Sequence, residues 1–171
     1  PVYFSDTRAK ELMNKDKSLI QHIQKRFGKE SYHNGLLNRK WLSERVFKDP
    51  KALNDLNNFV HPVVHQDYLE WVNQQSHEVV AYESAIVLEH ANDGKFDVVI
   101  LVSCPERLRI ERIKKRDGLT QDEIQSRTRF HWTDERKRKL ADHVIENINL
   151  SQTEQQVKTV LSLIRKQFLI D

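Results

Sequence analysis

Cysteine occurs once in these 171 residues, at Cys104, so no disulfide can close within the chain, and a reducing, cytoplasmic setting is expected. No apolar run approaches the roughly 20 residues that a membrane-spanning helix needs, and no stretch has the layout of a signal peptide, so no membrane association is expected. Glycine is scarce too. The four glycines, at 28, 35, 94 and 118, fall in no G-x-x-x-x-G-K-[ST] loop of the kind that cradles phosphates. His22, His33, His65 and His77 lack metal-ligand spacing, which removes a zinc site. Internal repeats and low-complexity tracts are absent as well.

What is present is an ordinary globular composition, 38% hydrophobic and 31% charged, enough for one core with a helical excursion. The net charge of +3 is unevenly placed. Residues 107–139 hold twelve basic and six acidic side chains, a local +6, which leaves −3 for the rest. Such a concentration suits a polyanion, either a nucleic acid or the phosphates of a nucleotide. A solvated helix face laced with Glu–Arg pairs gives the same count.

The patterning alternates strands and helices. Val2-Tyr3-Phe4 has the β-branched and aromatic character of a buried strand, Ser5 or Asp6 stands where a helix cap belongs, and "TRAKELMN" continues helically. Helices are expected near 6–14, 16–27 and 38–47, with a turn at "ESYHNGLLN". Asp49-Pro50 starts a long helix with Leu53, Leu56, Val60, Val64 and Trp71 at helical spacing; Pro62 is expected to kink or divide it near His61. "EVVAYE" and "FDVVILVS" read as interior parallel strands and "DHVIEN" as a short last one. Ser103-x-x-Glu106, Thr120-x-x-Glu123 and Ser151-x-x-Glu154 carry the capping-box signature, and the last helix sets Val157, Val160, Leu161, Ile164 and Phe168 on one face.

This predicts an α/β fold with one parallel sheet built from Val2–Phe4, Val79–Tyr82, Val98–Val102 and Val144–Ile145. Ligands of such sheets bind beyond the carboxyl ends of the strands. Asp6, Glu83 and Ser103-Cys104 stand at those ends. Two carboxylates at two strand tips fit a base for an attacking hydroxyl and a water-mediated metal holder; a helix cap and a strand-end charge are the plainer reading.

From Val2 to about Asn147 the order of motifs resembles the dephospho-coenzyme A kinase family, P-loop kinases of the nucleoside-monophosphate-kinase type. "SDTRAK" resembles the family's Asp-Ala-Asp segment, "NDLNNFVHPVV" its helix with an embedded His-Pro, and "YESAIVLE" its Asp-x-Pro-Leu-Leu-Phe-Glu segment. "RIERIKKRDGLTQDEIQSR" and "DERKRKLADHVIEN" resemble its lid and the segment ending Ala-Asp-x-Val-Ile-x-Asn. Departures are Glu83 for aspartate, Ala85 for proline, His131 for a lid glutamine and Ile148 for a glycine. In the family a strand, Gly-rich loop and helix precede the segment that begins here. The sequence as it stands is therefore expected to lack its phosphate-binding unit and to be inactive as a kinase without it.

The resemblance implies a three-layer P-loop-kinase-like parallel sheet, with a core of about 1–14, 76–116 and 142–171, a helical acceptor domain at about 15–75, and a helical lid at about 117–141. It implies phosphoryl transfer from ATP, with Mg²⁺, to the ribose 3′-hydroxyl of dephospho-coenzyme A. Asp6 is the expected base, with Arg112 and Arg116 beside it as catalytic residues. Arg116, Arg127 and Asn147 are expected at ATP, Asp6, His61 and Glu89 at the acceptor, and Glu83 as an outer-sphere Mg²⁺ carboxylate. A monomer or weak homo-oligomer without a nucleic-acid partner is expected. A nucleic-acid module built on residues 107–139 is disfavoured because no aromatics interleave the basic residues for base stacking; a degenerate, non-catalytic scaffold is the other alternative. Trp41, Trp71 and Trp132 are read chiefly as core packing, and "DERKRK" as an exposed lid helix.

Overall fold

The computed structural model describes residues 1–89 and 95–169. Gly94, one of the four glycines, lies outside them. The chain forms two compact units, Pro1–Ser84 and Ala85–Asp171.

In the first unit, β1 (Val2–Phe4) pairs in parallel with β4 (Ala81–Glu83), Phe4 opposite Glu83. The strand's period of two decides its burial. Tyr3 is 2% exposed and packs against the rings of Tyr68, Trp71 and Tyr82, while Val2 and Phe4 point to the other face and stay about half exposed. The strand feeds α1 (Ser5–Lys15) with no intervening loop, so Phe4 occupies the cap position and no side chain caps the helix. Ser5 and Asp6 are therefore not caps. Asp6 instead lies in the first turn, where the helix dipole favours its charge.

Next come α2 (Lys17–Phe27), capped by Asp16, and a single 3₁₀ turn at Lys29–Ser31. The expected turn at "ESYHNGLLN" is a small antiparallel hairpin, β2 (Tyr32–His33) with β3 (Leu36–Leu37). Asn34 and Gly35 both take positive φ, as a two-residue hairpin turn matching the strand twist requires. Asn38 caps α3 (Arg39–Val46), and Asp49 caps α4 (Pro50–Asn73). Pro62 does not divide α4, which runs for 24 residues. Val60 and Val64, on either side of it, are both buried in one core, and that shared burial outweighs the lost backbone hydrogen bond. The same core takes Tyr3, Leu19, Ile23, Leu37, Leu42, Val46 and Ala52, with Trp41 and Trp71 packed at its margin as expected.

The second unit is built on β5 (Ile100–Ser103), parallel to β6 (His143–Glu146). α5 (Glu106–Asp117) ends at Gly118, whose left-handed φ of 68° stops the helix. α6 (Gln121–Thr128) begins on the predicted capping box of Thr120 and Glu123, and Thr133 caps α7 (Asp134–Arg138). α8 (Leu150–Phe168) is capped by Asn149, not Ser151, because Asn149, two residues earlier, accepts from the backbone N–H of Gln152. Ser103 is no cap either: α5 starts beyond it, after Pro105, and the Ser103 hydroxyl bonds elsewhere. Of the apolar face expected on α8, Val160 and Ile164 are buried with Ile145, whereas Val157, Leu161 and Phe168 remain more than a third exposed.

The α/β class with parallel strands stands. Within the first unit β1 and β4 form a parallel pair, and within the second β5 and β6 do. Apolar runs announce burial, but they do not name the strand that completes the ladder. For the same reason Val79 and Val98 fall outside the ladders that their runs were expected to extend into.

Candidate active site

In the first unit the site starts from the carboxyl end of the β1–β4 pair. Glu83 ends β4, and Asp6 follows β1 by two residues. Burial, then the negative charge of Asp6, raise the Glu83 pKa, with Lys10 opposing. Glu83 and Asp6 are thus close enough to repel, and both are exposed. Behind them stands a polar network that the sequence reading missed. Arg8 grips Asp67 with two nitrogens, Nε to Oδ2 at 2.9 Å and Nη2 to Oδ1 at 2.5 Å, and the Tyr3 hydroxyl donates to the same Oδ2 at 2.7 Å. The Arg8 bond first, and the Tyr3 bond after it, hold the Asp67 carboxyl below the usual range against its burial. Burial and Asp67 push the Tyr3 phenol well above its ordinary value. No local pattern links residues about 60 positions apart, so only the packing of α1 on α4 reveals this network. His61, half-buried, lies within α4 just before Pro62.

In the second unit the arginines of α5 do not share one target. Arg112 donates to the carbonyls of Asn147 (2.7 Å) and Ile148 (2.8 Å), fastening the turn after β6. Arg116, three-quarters exposed, forks onto its neighbour Asp117 at 2.7 and 2.9 Å, which raises its pKa. Arg127 lies exposed in the last turn of α6. Asn147 anchors its own N–H on the Ser103 carbonyl at 2.7 Å. The "DERKRK" helix is not wholly exposed: Lys137 is buried, its ammonium 2.7 Å from Glu89 Oε1 and 3.0 Å from the Ala85 carbonyl. Glu89 Oε1 also accepts from the Trp132 N–H, and its Oε2 is buried with no partner among the described residues. Glu89 is thus placed as the anchor of a buried ion pair. Arg136 stacks over the Trp132 ring, 3.3 Å from its centroid.

Among the described residues, at least six of the twelve basic residues in 107–139 pair with carboxylates: Arg107, Arg109, Arg116, Lys137, Arg138 and Lys139. Two of those acids, Glu89 and Glu146, lie outside the basic stretch, so its sequence count overstates its free charge. Among the described residues no three His, Cys, Asp or Glu side chains gather as a metal cluster.

Each unit by itself carries charge of a kind that phosphoryl transfer uses, exposed carboxylates at a strand end in the first and arginines on a helix that stops at a glycine in the second. The molecule is an α/β phosphotransferase. A model of the dephospho-CoA kinase family matches residues 1–153, and the chain belongs to that family, transferases of the final step of coenzyme A biosynthesis with ATP as substrate. It is similar to dephospho-CoA kinases of Porphyromonas gingivalis (33% identity, covering 86% of this chain and 73% of that one) and Syntrophotalea carbinolica (31%, covering 94% and 79%). A crystal structure from Thermus thermophilus superposes with a TM-score of 0.81 at 29% identity, over 95% of this chain and 83% of that one.

Proposed function

We propose that this chain transfers the terminal phosphoryl group of ATP to the ribose 3′-hydroxyl of dephospho-coenzyme A. The observation that carries the residue assignment is the proximity of Asp6 and Glu83 at the carboxyl end of the β1–β4 pair. Asp6, exposed and in the first turn of α1, takes the proton of the attacking hydroxyl. Glu83 suits an outer-sphere Mg²⁺ carboxylate: its raised pKa marks negative charge that a hydrated cation would relieve, and Mg²⁺ keeps several waters when few carboxylates serve it. When bound, the metal neutralises charge on the transferring phosphates. Arg116 and Arg127 contact the nucleotide phosphates, Arg116 by exchanging Asp117 for phosphate oxygens. Arg112 serves the catalytic centre by holding Asn147, the nucleotide contact, through its carbonyl. His61 faces the acceptor, and Glu89 supports it through the segment that its pair with Lys137 anchors.

The helices at about 15–75 form the acceptor domain and those at about 117–141 the lid, on a core of about 1–14, 76–116 and 142–171. The protein works in the cytoplasm as a monomer or weak homo-oligomer. It has no nucleic-acid partner, a reading supported by the carboxylates that pair with at least six residues of its basic stretch. The test is ADP release on adding dephospho-coenzyme A and ATP to protein that also carries a G-x-x-x-x-G-K-[ST] loop, which these 171 residues lack, with mass and ³¹P spectra of the product. A new 3′-monophosphate is the expected result; duplex binding without ADP release would instead favour the nucleic-acid reading.

A further inference from the structure

The ends of β5 and β6 carry a charge network that the phosphoryl-transfer reading leaves unused. Ser103, the last residue of β5, is 3% exposed. Its hydroxyl donates to Asp134 Oδ2 at 2.5 Å and accepts from Arg138 Nη2 at 3.0 Å. Arg109 joins the same Asp134 oxygen and the Cys104 carbonyl, and Arg138 also reaches Glu146 Oε1 at 2.5 Å. Two cations and two anions balance, with one hydroxyl between them. The hydrogen bonds from Ser103 and Arg109, helped by Lys137, hold the Asp134 carboxyl low although burial alone would raise it.

Asp134 is the first residue of α7 and Arg138 the last, so both ends of this helix close on Ser103. The Ser103 carbonyl meanwhile accepts the Asn147 N–H, and Glu146, the other partner of Arg138, precedes Asn147 directly. A hydroxyl is the smallest side-chain group able to accept from a guanidinium and donate to a carboxylate at once. We propose that Ser103 is a positioning residue that couples the seating of α7 to the Asn147 segment, and so sets nucleotide affinity without touching the reacting atoms. This rests on the reading of Asn147 as a nucleotide contact.

The coupling is tested in the intact protein by ATP and dephospho-coenzyme A kinetics. Ser103→Ala is expected to raise KM for ATP about tenfold, with kcat within threefold and KM for dephospho-coenzyme A within twofold, the pattern of lost ground-state binding. Ser103→Thr, which restores the hydroxyl, should bring KM back to within threefold. Asp134→Asn should resemble Ser103→Ala, and the double variant should be no worse than either, because both break one network. Asn147→Ala is the arm that separates the two readings. Unchanged KM for ATP there removes the nucleotide-contact reading and this proposal with it. Raised KM in Asn147→Ala beside unchanged KM in Ser103→Ala, or additive effects of Ser103→Ala and Asp134→Asn, overturns the coupling alone.

Discussion

Asp6 and Glu83 stand at one end of the β1–β4 pair with like charges, and the Asp6 carboxylate adds to burial in raising the pKa of Glu83. Asp6 lies in the first turn of α1 with no capping duty, while partial desolvation and the Asp6 charge together raise the Glu83 pKa. The unequal environments support the unequal work proposed for them, Asp6 at the proton and Glu83 at a cation.

In protein that also carries a G-x-x-x-x-G-K-[ST] loop, which these 171 residues lack, Asp6→Asn is expected to lower kcat for dephospho-coenzyme A by about 10²-fold or more, the range for a positioned general base. ATP affinity should hardly move, since the role proposed for Asp6 is at the acceptor. Steady-state kinetics with an ATP titration checks both; turnover within threefold of the parent would remove Asp6 from the chemistry.

Asp67 makes a prediction about pH. Its carboxyl is depressed in the folded state by Arg8 first and Tyr3 after it. A depressed carboxyl adds stability that is present above the unfolded pKa of about 3.9 and is lost as pH falls through the folded value. Asp67→Asn should therefore unfold about 1–3 kcal/mol more easily at pH 7, as loss of charge-assisted bonds does. Urea melts at descending pH should show the gap closing below about pH 4. A gap that widened there would contradict the assignment.

Arg116 and Arg107 form the informative arginine pair. Arg138 is unsuited as a surface control because it bonds Ser103 and Glu146, whereas Arg107 is 92% exposed and holds only Glu111 across one turn. Arg116→Ala is expected to cost about 10²-fold or more in kcat/KM for ATP, as loss of a phosphate contact should. Arg107→Ala should cost less than about threefold. A nucleic-acid binder would lose polyanion affinity by similar steps at both positions, which duplex titrations at two salt concentrations would reveal.

Lys137 and Glu89 test the buried pair. Removing the ammonium with Lys137→Ala leaves a buried carboxylate with only the Trp132 N–H, and about 3–5 kcal/mol of stability should go. Glu89→Gln keeps an acceptor for Trp132 and should cost less, while raising KM for dephospho-coenzyme A. Chemical denaturation of both variants beside acceptor kinetics checks this; an unchanged KM in Glu89→Gln would confine Glu89 to stability.

Much of the molecule was legible in one dimension because its causes are local. Helices at 5–15, 17–27, 39–46 and 50–73 follow from periodicity, and the Thr120–Glu123 box and the Asp49-Pro50 start act within one turn of chain. The hairpin at Asn34-Gly35 had its signal in that dipeptide, and the reading stopped at a turn. Ser103 and Ser151 misled because a Ser-x-x-Glu spacing is necessary for a capping box but does not choose among neighbouring hydroxyls and amides; Asn149 won at α8, and a strand claimed Ser103.

Strand partners and long-range polar contacts had no such local cause. Val2-Tyr3-Phe4 announces a strand, but nothing in it says that Ala81–Glu83 is its neighbour, and nothing in Ile100–Ser103 names His143–Glu146. Lys137 sits in a run of four basic residues that are alike on paper, and of the four it alone is buried, on the side of α7 that meets Glu89. Arg8 meets Asp67, and Ser103 meets Asp134, across 59 and 31 positions. The energy of such a contact depends on distances that only the packed backbone sets, so a chain read residue by residue carries the charges but not their partners.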